Sequence, residues 1–233
     1  METLNNTHAL PLSLPAYTQL ICQYDPERSA LWAYLNPRPR PCFTPTLLSE
    51  IRDLQTRLAA KLGTSTCREQ IRYLVYASAT PQVFNLGGDV ELFTRLIAAK
   101  DHDALYKYGR ICTEAVFANV TNLGIDSLTT IALVQGTALG GGFEGALSCN
   151  VVLAEESAPL GFPEILFNLF PGMGAMNLLA RKVGVTQAER LIISGDIFNG
   201  RRLREMGVVD ELAPDGEGVT SVNAFIRSHS RHA

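Results

Sequence analysis

One stretch of the sequence, VQGTALGGGFEGALSCN at residues 134–150, combines residue types that could do chemistry. Gly140, Gly142 and Gly145 form a G-x-G-x-x-G pattern, and a single carboxylate, Glu144, lies inside it. Glycine lets the main chain approach a ligand with no Cβ in the way. The N-terminus of a following helix adds unpaired N–H donors and a partial positive charge. Such a loop can hold a phosphate group or a developing oxyanion.

The dinucleotide interpretation of this pattern is the weaker one. A dinucleotide-binding fingerprint places its first glycine directly after a strand, whereas Thr137, Ala138 and Leu139 are predicted to follow a strand that ends near Gly136. Glu144 would also stand in the first helical turn, where its charge would repel a pyrophosphate. The pattern therefore favours an oxyanion-binding loop.

A second loop and a second carboxylate extend the pattern. The segment NLGGD, residues 85–89, also places paired glycines before a helix start, and an oxyanion hole needs donors from more than one segment. Glu164 lies in GFPEILFNLFPGMGA, residues 161–175, where charge is nearly absent. A carboxylate in such surroundings is either satisfied by structural hydrogen bonds or desolvated, with a raised pKa. Two such acids beside two glycine loops favour acid–base catalysis.

Cysteine and histidine offer a less favoured alternative. The five cysteines contain no C-x-x-C pair, which is typical of reduced thiols in a cytoplasmic chain. Cys149 lies near the glycine loop, but no histidine is close to it in sequence, and no group has metal-ligand spacing. The residues concerned are Cys22, Cys42, Cys67, Cys112 and Cys149, with His8, His102, His229 and His232.

Composition narrows the functional class. Twenty basic and 23 acidic side chains give a formal charge of −3, which provides no electrostatic footprint for nucleic acid. The first residues lack the features of a secretion signal, and no apolar run approaches the roughly 20 residues that span a bilayer. We therefore expect a cytoplasmic α/β protein.

Strand-like and helix-like segments alternate along the chain. Residues 17–25 and 30–36 are predicted to form a β-hairpin, and the proline-rich segment NPRPRPCFTP a rigid connector. Leucine spacing predicts a helix from Pro45, with Thr44 as N-cap and Gly63 as the stop. Recurring strand–loop–helix units imply stacked β-β-α turns or a doubly wound sheet. Further strands are predicted over 72–78, 129–136, 150–156 and 208–214, and further helices over 89–99, 104–120, 144–148, 176–183, 186–195 and 199–207.

These motifs, taken in order, resemble the crotonase (enoyl-CoA hydratase) superfamily. VFNLGGD resembles the first oxyanion loop of that superfamily. Residues 134–150 resemble the second loop, which carries the first glutamate, and residues 161–175 resemble the segment that carries the second glutamate. The resemblance implies an α/β crotonase-like fold of repeated β-β-α units, with stacked sheets and surrounding helices. It implies no cofactor, a catalytic core over 17–233 and an N-terminal extension over 1–16. Because the superfamily continues into C-terminal trimerisation helices, these helices are expected to be missing or truncated here.

Within the superfamily the chain resembles the diffusible-signal-factor synthases, through FNLGGDVELF, ALGGGFEGALSC, PEILFNLFPGMGA and PRPCF. This implies dehydration of a 3-hydroxyacyl-(acyl carrier protein) to a cis-2-enoyl thioester, followed by hydrolysis that releases an unsaturated fatty acid quorum-sensing signal. The alternatives are a generic enoyl-CoA hydratase or acyl-CoA thioesterase, and an inactive regulatory homologue.

The resemblance also assigns residues and partners. Gly88 and Gly141 align with the oxyanion-hole donors, Glu164 with the acid at the α-carbon, and Glu144 with its partner at the β-hydroxyl. The implied partners are a medium-chain 3-hydroxyacyl carrier-protein or coenzyme A thioester, a sensor histidine kinase domain, and further copies in a trimer or hexamer if the C-terminal helices are present. The predicted substrate-binding residues are Leu86, Gly87, Leu139, Gly140, Phe162, Phe170, Gly172 and Met173, of which Leu139, Phe162, Phe170 and Met173 could line an acyl tunnel or belong to the core.

Overall fold

The computed structural model describes residues 12–63 and 70–229. His8, Cys67 and His232 lie outside the described residues, as does most of the predicted extension 1–16. Within these residues no helix combines the length and the apolar character needed to cross a membrane.

Two β-sheets form the framework of the fold. The first has six strands, in the spatial order β1 (Leu20–Asp25), β2 (Ala30–Leu35), β3 (Tyr73–Ser78), β5 (Thr129–Val134), β7 (Val151–Glu155) and β10 (Glu211–Ala213). Only β1 and β2 are antiparallel neighbours in this sheet. The second sheet has four short strands, β4 (Val83–Asn85), β6 (Thr137–Leu139), β8 (Pro159–Gly161) and β9 (Ile197–Asn199).

Eight helices surround the sheets in the described residues. They are α1 (Pro45–Leu62), α2 (Val90–Ala98), α3 (His102–Val120), α4 (Gly141–Leu147), α5 (Ala175–Val183), α6 (Val185–Ser194), α7 (Gly200–Glu205) and α8 (Gly218–His229). Short 3₁₀ turns cover Asn122–Gly124 and Pro163–Phe167.

The chain repeats one local pattern three times: a strand of the large sheet, a strand of the small sheet, and then a helical segment. The three units are β3–β4–α2, β5–β6–α4 and β7–β8 with the 3₁₀ turn Pro163–Phe167. The predicted crotonase-like architecture of repeated β-β-α units is confirmed, and each unit delivers a loop and a helix start to the small sheet.

The local sequence explains the elements that were predicted well. Helix α1 buries its leucine stripe, including Leu47, Leu54 and Leu58, against the large sheet. The Thr44 side chain accepts the Leu47 N–H at 3.1 Å, so the predicted N-cap is confirmed. The hairpin is confirmed as well, with β1 beginning three residues later than predicted.

Five elements were not predicted: β4, β6, β8, β9 and α8. Each of these strands has three residues, too few to show the alternation that identifies a strand. Helix α8 packs Val222 and Ile226 against Tyr73 and Leu133 on one face of the large sheet. Its burial therefore depends on contacts with distant strands rather than on a strong local pattern.

Candidate active site

The two glycine loops lie side by side because the strands before them are neighbours. β4 and β6 pair in parallel, with Val83 opposite Thr137 and Asn85 opposite Ala138. Parallel strands end at the same edge of a sheet, so both loops enter the same region. Since β6 ends at Leu139, the glycines do follow a strand directly, and the spacing argument against a dinucleotide loop was wrong.

Backbone atoms of the two loops approach closely. A Cβ at Gly141 would lie 3.6 Å from the Gly88 nitrogen, and one at Gly87 would lie 3.0 Å from the Gly141 nitrogen. A Cβ at Gly142 would overlap the Asn85 carbonyl. Glycine at these positions therefore permits an approach that a side chain would prevent. Within the described residues, neither the Gly88 nor the Gly141 N–H donates to a protein group.

Neighbouring groups hold the first loop in place. The Asn85 side chain accepts the Gly87 N–H at 2.8 Å. From the proline-rich connector, the Phe43 N–H donates to the Gly87 carbonyl at 2.7 Å. The connector was predicted as a spacer, and these contacts show that it also shapes the loop that precedes α2.

Glu144 lies in the first turn of α4 and is held by the start of α5. Its Oε1 accepts the Met173 N–H at 2.7 Å and the Ala175 N–H at 2.9 Å. The residue is 1% exposed, and burial raises the pKa of Glu144 from 4.5 to about 7. The two N–H donors oppose this rise in pKa, and the charge of Glu164 adds to it. Near neutral pH the carboxyl group is therefore present in both its protonated and its ionised form.

Glu164 lies in the 3₁₀ turn Pro163–Phe167 and is held less firmly. Its Oε2 is buried and has no hydrogen-bond partner in the described residues. The carboxyl group lies so close to Gly140 that a Cβ at this glycine would overlap it. Burial raises the pKa of Glu164 above its ordinary value. Because buried polar atoms nearly always have partners, this oxygen indicates a group that a ligand or water completes.

The arrangement is suited to acid–base chemistry next to a carbonyl group. The Gly88 and Gly141 N–H groups, unpaired among the described residues, can donate to an oxygen on which negative charge develops. Two interacting carboxyl groups titrate in separate steps, so one can be protonated while the other is ionised. The Glu164 carboxyl group lies against Gly140, and Glu144 lies in the first turn of the helix that begins at Gly141, so both acids lie beside the second glycine loop.

The predicted substrate-binding residues near the loops are not equivalent. The Met173 Sδ would lie 2.9 Å from a Cβ at Gly141, so this side chain touches the second loop. Gly140 contacts Glu164, and Leu86 is 41% exposed in the first loop. Gly172 has no close neighbour, since a Cβ there would meet only a carbonyl oxygen at 4.0 Å.

The four apolar residues that were predicted to line a tunnel or to belong to the core differ in how deeply they are buried. Phe162 stacks on Phe143, with ring centroids 4.9 Å apart, inside the core. Phe170 is 60% exposed, and Leu139 is half-buried at the end of β6. Of the four, Met173 alone lines the cavity that adjoins the site.

This cavity is mainly apolar and narrow, with a volume of about 30 Å³, which is enough for one or two water molecules. Gly145, next to Glu144, and Met173 form the end that adjoins the site, and the apolar lining includes Leu48, Ile51 and Phe84. An alkyl chain needs more space than this, so it enters only if the lining side chains move apart.

Sequence reasoning missed the polar groups that also line this cavity. The Asn119 Oδ1 accepts from Gln55 Nε2 at 2.9 Å and from the Tyr76 hydroxyl at 3.2 Å. The Asn119 Nδ2 donates to the Ser148 Oγ at 3.0 Å, and Ser148 donates to the Gly145 carbonyl at 2.6 Å. One signal was available, since Gln55 interrupts the apolar stripe of α1, and a polar residue there needs a buried partner.

The Cys–His alternative finds no support in the described residues. Burial raises the pKa of Cys149 to about 12, so its thiol stays protonated at neutral pH. His229 pairs with the Tyr73 hydroxyl at 3.0 Å and stacks on Phe225, away from the glycine loops.

Comparisons with known proteins agree with this architecture. The sequence model of the family described as enoyl-CoA hydratase/isomerase matches residues 52–227. The structure of Pseudomonas aeruginosa DspI superposes with a TM-score of 0.80 at 24% identity, covering 95% of this chain and 84% of that one. The enoyl-CoA hydratases of Bacillus anthracis and Mycobacterium smegmatis give TM-scores of 0.78 and 0.77 at 22% and 21% identity, each covering 91% of this chain and 76% of the other. At these identities the structural matches show a shared fold.

Proposed function

Because this chain belongs to the enoyl-CoA hydratase/isomerase family, we propose that it acts on the thioester of a medium-chain 3-hydroxy fatty acid. It dehydrates the 3-hydroxyacyl-(acyl carrier protein) to a cis-2-enoyl thioester. The same site then hydrolyses the thioester and releases an unsaturated fatty acid that serves as a quorum-sensing signal.

One observation carries this proposal: the close approach of two glycine loops, each with a free N–H, beside two interacting carboxyl groups. The Gly88 and Gly141 N–H groups bind the thioester oxygen. A donor in an oxyanion hole contributes about 3–4 kcal/mol to the stability of the transition state. This support is needed because an α-proton beside a thioester is only weakly acidic.

The two glutamates divide the proton transfers of the dehydration. Glu164 removes the α-proton, and its unpartnered Oε2 is the available acceptor. Glu144 in its protonated form donates to the β-hydroxyl, the C–O bond breaks, and water leaves as the double bond forms. Glu164 accepts one proton and Glu144 donates one, so the net charge of the pair is unchanged, and proton exchange through solvent restores the starting protonation of each.

Hydrolysis reuses the same oxyanion hole. A water molecule activated by one of the glutamates attacks the thioester carbonyl, and the tetrahedral oxyanion is held by Gly88 and Gly141. Collapse breaks the C–S bond and releases the carrier thiol and the free acid.

The acyl tail enters the narrow apolar cavity beside Glu144 as the lining side chains move apart. Met173 supports this route, because its side chain contacts the second glycine loop and also lines the cavity. The polar residues Tyr76, Asn119 and Ser148 lie along the lining and favour a tail of limited length.

The partners belong to the same proposal. We place the enzyme in the cytoplasm with an acyl carrier protein or coenzyme A as the thiol, and a sensor histidine kinase domain as a regulatory partner. A homo-oligomer is supported by the exposed apolar side chains Leu166, Phe167, Leu169 and Phe170, since monomers rarely expose such a run.

The test is mass spectrometry of the products released from 3-hydroxydodecanoyl-carrier protein by the purified chain. We expect free cis-2-enoic acid from the carrier-protein thioester, and slower release from the matched coenzyme A thioester. The double variant Glu144→Gln, Glu164→Gln is the control and should release none.

Two other outcomes would overturn the proposal. Reversible hydration of enoyl-CoA without release of acid would identify a generic hydratase, which the family match favours as second candidate. A folded chain that binds a kinase domain tightly but converts neither thioester would identify a regulatory homologue.

A further inference from the structure

Tyr108 lies in the middle of α3, buried beneath residues 87–89, and sequence reasoning assigned it no role. Its hydroxyl accepts the Asp89 N–H at 3.1 Å and donates to the Phe43 carbonyl at 2.5 Å. The residue is 7% exposed. The hydroxyl therefore joins the first glycine loop to the proline-rich connector.

The two hydrogen bonds of the hydroxyl lie beside a β-bridge. Phe43 and Gly88 form an isolated parallel bridge. In such a bridge the residues before and after Gly88 are both connected to Phe43 by hydrogen bonds. On one side the Phe43 N–H donates directly to the Gly87 carbonyl at 2.7 Å. On the other side the Asp89 N–H reaches the Phe43 carbonyl through the Tyr108 hydroxyl.

An aromatic contact supports the same glycine. The Phe93 ring packs edge to face against Tyr108, with centroids 5.1 Å apart, and a Cβ at Gly88 would lie 2.8 Å from the Phe93 ring. Paired glycines have no side chains to fix their own peptide groups. The orientation of the Gly88 N–H is therefore set by the groups bonded to its neighbours and by the ring beneath it.

We propose that Tyr108 is a positioning residue, which holds the Gly88 N–H toward the thioester oxygen through its bonds to Asp89 and Phe43. This inference rests on the proposed function, in which Gly88 is an oxyanion donor. Tyr108 is not itself an acid or base in the reaction, because both sides of its hydroxyl are committed to backbone groups.

The first experiment compares Tyr108→Phe with Tyr106→Phe. Both variants delete one hydroxyl from α3, but Tyr106 is 72% exposed and serves as the matched control. A small misplacement of a catalytic group lowers the rate by up to about 10²-fold, so we expect Tyr108→Phe to lower kcat by about 10-fold. KM should change by less than about twofold, since only stabilisation of the transition state is weakened. Tyr106→Phe should match the wild type.

The second experiment separates this inference from the proposed function. A saturated acyl-coenzyme A labelled with ¹³C at the thioester carbonyl is bound to each variant, and the carbonyl stretch is measured by infrared difference spectroscopy. The wild type and Tyr106→Phe should lower the stretching frequency, and Tyr108→Phe should show a smaller shift. Because this ligand does not react, the result is decisive even if the wild type converts no 3-hydroxyacyl thioester.

An unchanged kcat together with an unchanged carbonyl shift in Tyr108→Phe would overturn the inference. A wild type that binds the ligand without any carbonyl shift would overturn it too. If circular dichroism shows that Tyr108→Phe is unfolded, Phe93→Leu replaces it, because this variant removes the ring that packs against Tyr108 and so lets its hydroxyl shift from Asp89 and Phe43. A normal kcat and carbonyl shift in Phe93→Leu would then count against a positioning role for Tyr108.

Discussion

The two glutamates of the candidate site occupy contrasting environments. Glu144 is on a regular helix, 1% exposed, with Oε1 bound by two N–H groups from the start of α5. Glu164 is on a short 3₁₀ turn that ends at Asn168 in the left-handed conformation, and its buried Oε2 has no partner in the described residues. One carboxyl group is anchored by the fold, and the other is left available.

This difference separates stability from reactivity. One of the N–H groups that hold Glu144, that of Ala175, is the first of α5, and the other, that of Met173, lies just before it, so the carboxylate satisfies a donor that a helix start leaves unpaired. Among the described residues, Glu164 accepts from no backbone donor of another element. We therefore expect Glu144 to contribute both to folding and to catalysis, and Glu164 to contribute mainly to catalysis.

The largest expected effect is on the turnover of Glu164→Gln. Loss of a positioned acid or base lowers the rate by about 10²- to 10⁴-fold, so kcat for dehydration should fall by about 10³-fold. The melting temperature should stay close to that of the wild type, because Oε2 has no partner to lose in the part of the chain that the structure describes. Stopped assays of enoyl product and thermal unfolding would be measured on the same preparation, and near-normal turnover would remove Glu164 from the mechanism.

The next effect is on stability and distinguishes the two alanine variants. Glu144→Ala leaves the Met173 and Ala175 N–H groups without their acceptor. Each unsatisfied buried donor lowers the stability of the fold by about 1–3 kcal/mol. Its free energy of unfolding should therefore fall by about 2–4 kcal/mol, whereas Glu164→Ala should cost less than about 1 kcal/mol. Urea denaturation measures both values.

Glu144→Gln is the matched control for this comparison, because its amide oxygen can still accept both N–H groups. It should restore most of the stability and none of the activity. Equal stability losses in the two alanine variants would contradict the anchoring role of Glu144.

The smallest expected effect is the pH dependence of stability. Burial raises the pKa of Glu144 to about 7 in the folded state, whereas its ordinary value is 4.5. Between about pH 4.5 and 7 the carboxyl group is therefore protonated in the folded protein and ionised in the unfolded chain. The wild type should therefore lose stability relative to Glu144→Gln as pH rises through this window, by about 1 kcal/mol per pH unit. The midpoints of urea denaturation of both proteins at about pH 5, 6, 7 and 8 test this. If the midpoints of the wild type and Glu144→Gln change in parallel with pH, the pKa of Glu144 is not raised.

Sequence patterns predicted those parts of the site that depend on neighbouring residues. The glycine loops at residues 85–89 and 134–150 and the leucine stripe of α1 are local features, and the structure places them as expected for a β-β-α protein. The anchoring of Glu144 was not predictable in this way, because its donors lie 29 and 31 residues further along the chain. The same holds for Tyr108, whose acceptor Phe43 is 65 residues away.

The apolar residues illustrate the same limit. Phe162 and Phe170 have similar local sequences, but one is packed in the core and the other is largely exposed. Periodicity cannot distinguish them, because the surrounding segment has neither a helical nor a strand period. Their environments are decided by packing between elements that are far apart in sequence.

The attachment of Glu144 to α5 bears on how an inactive descendant of this chain could be recognised. Such a descendant would still need an oxygen acceptor at position 144, because losing it would loosen the start of α5. The stability of the fold does not require an oxygen acceptor at position 164. A glutamate at 164 is therefore the more diagnostic marker of retained chemistry, and its replacement would mark loss of function in a chain that folds normally.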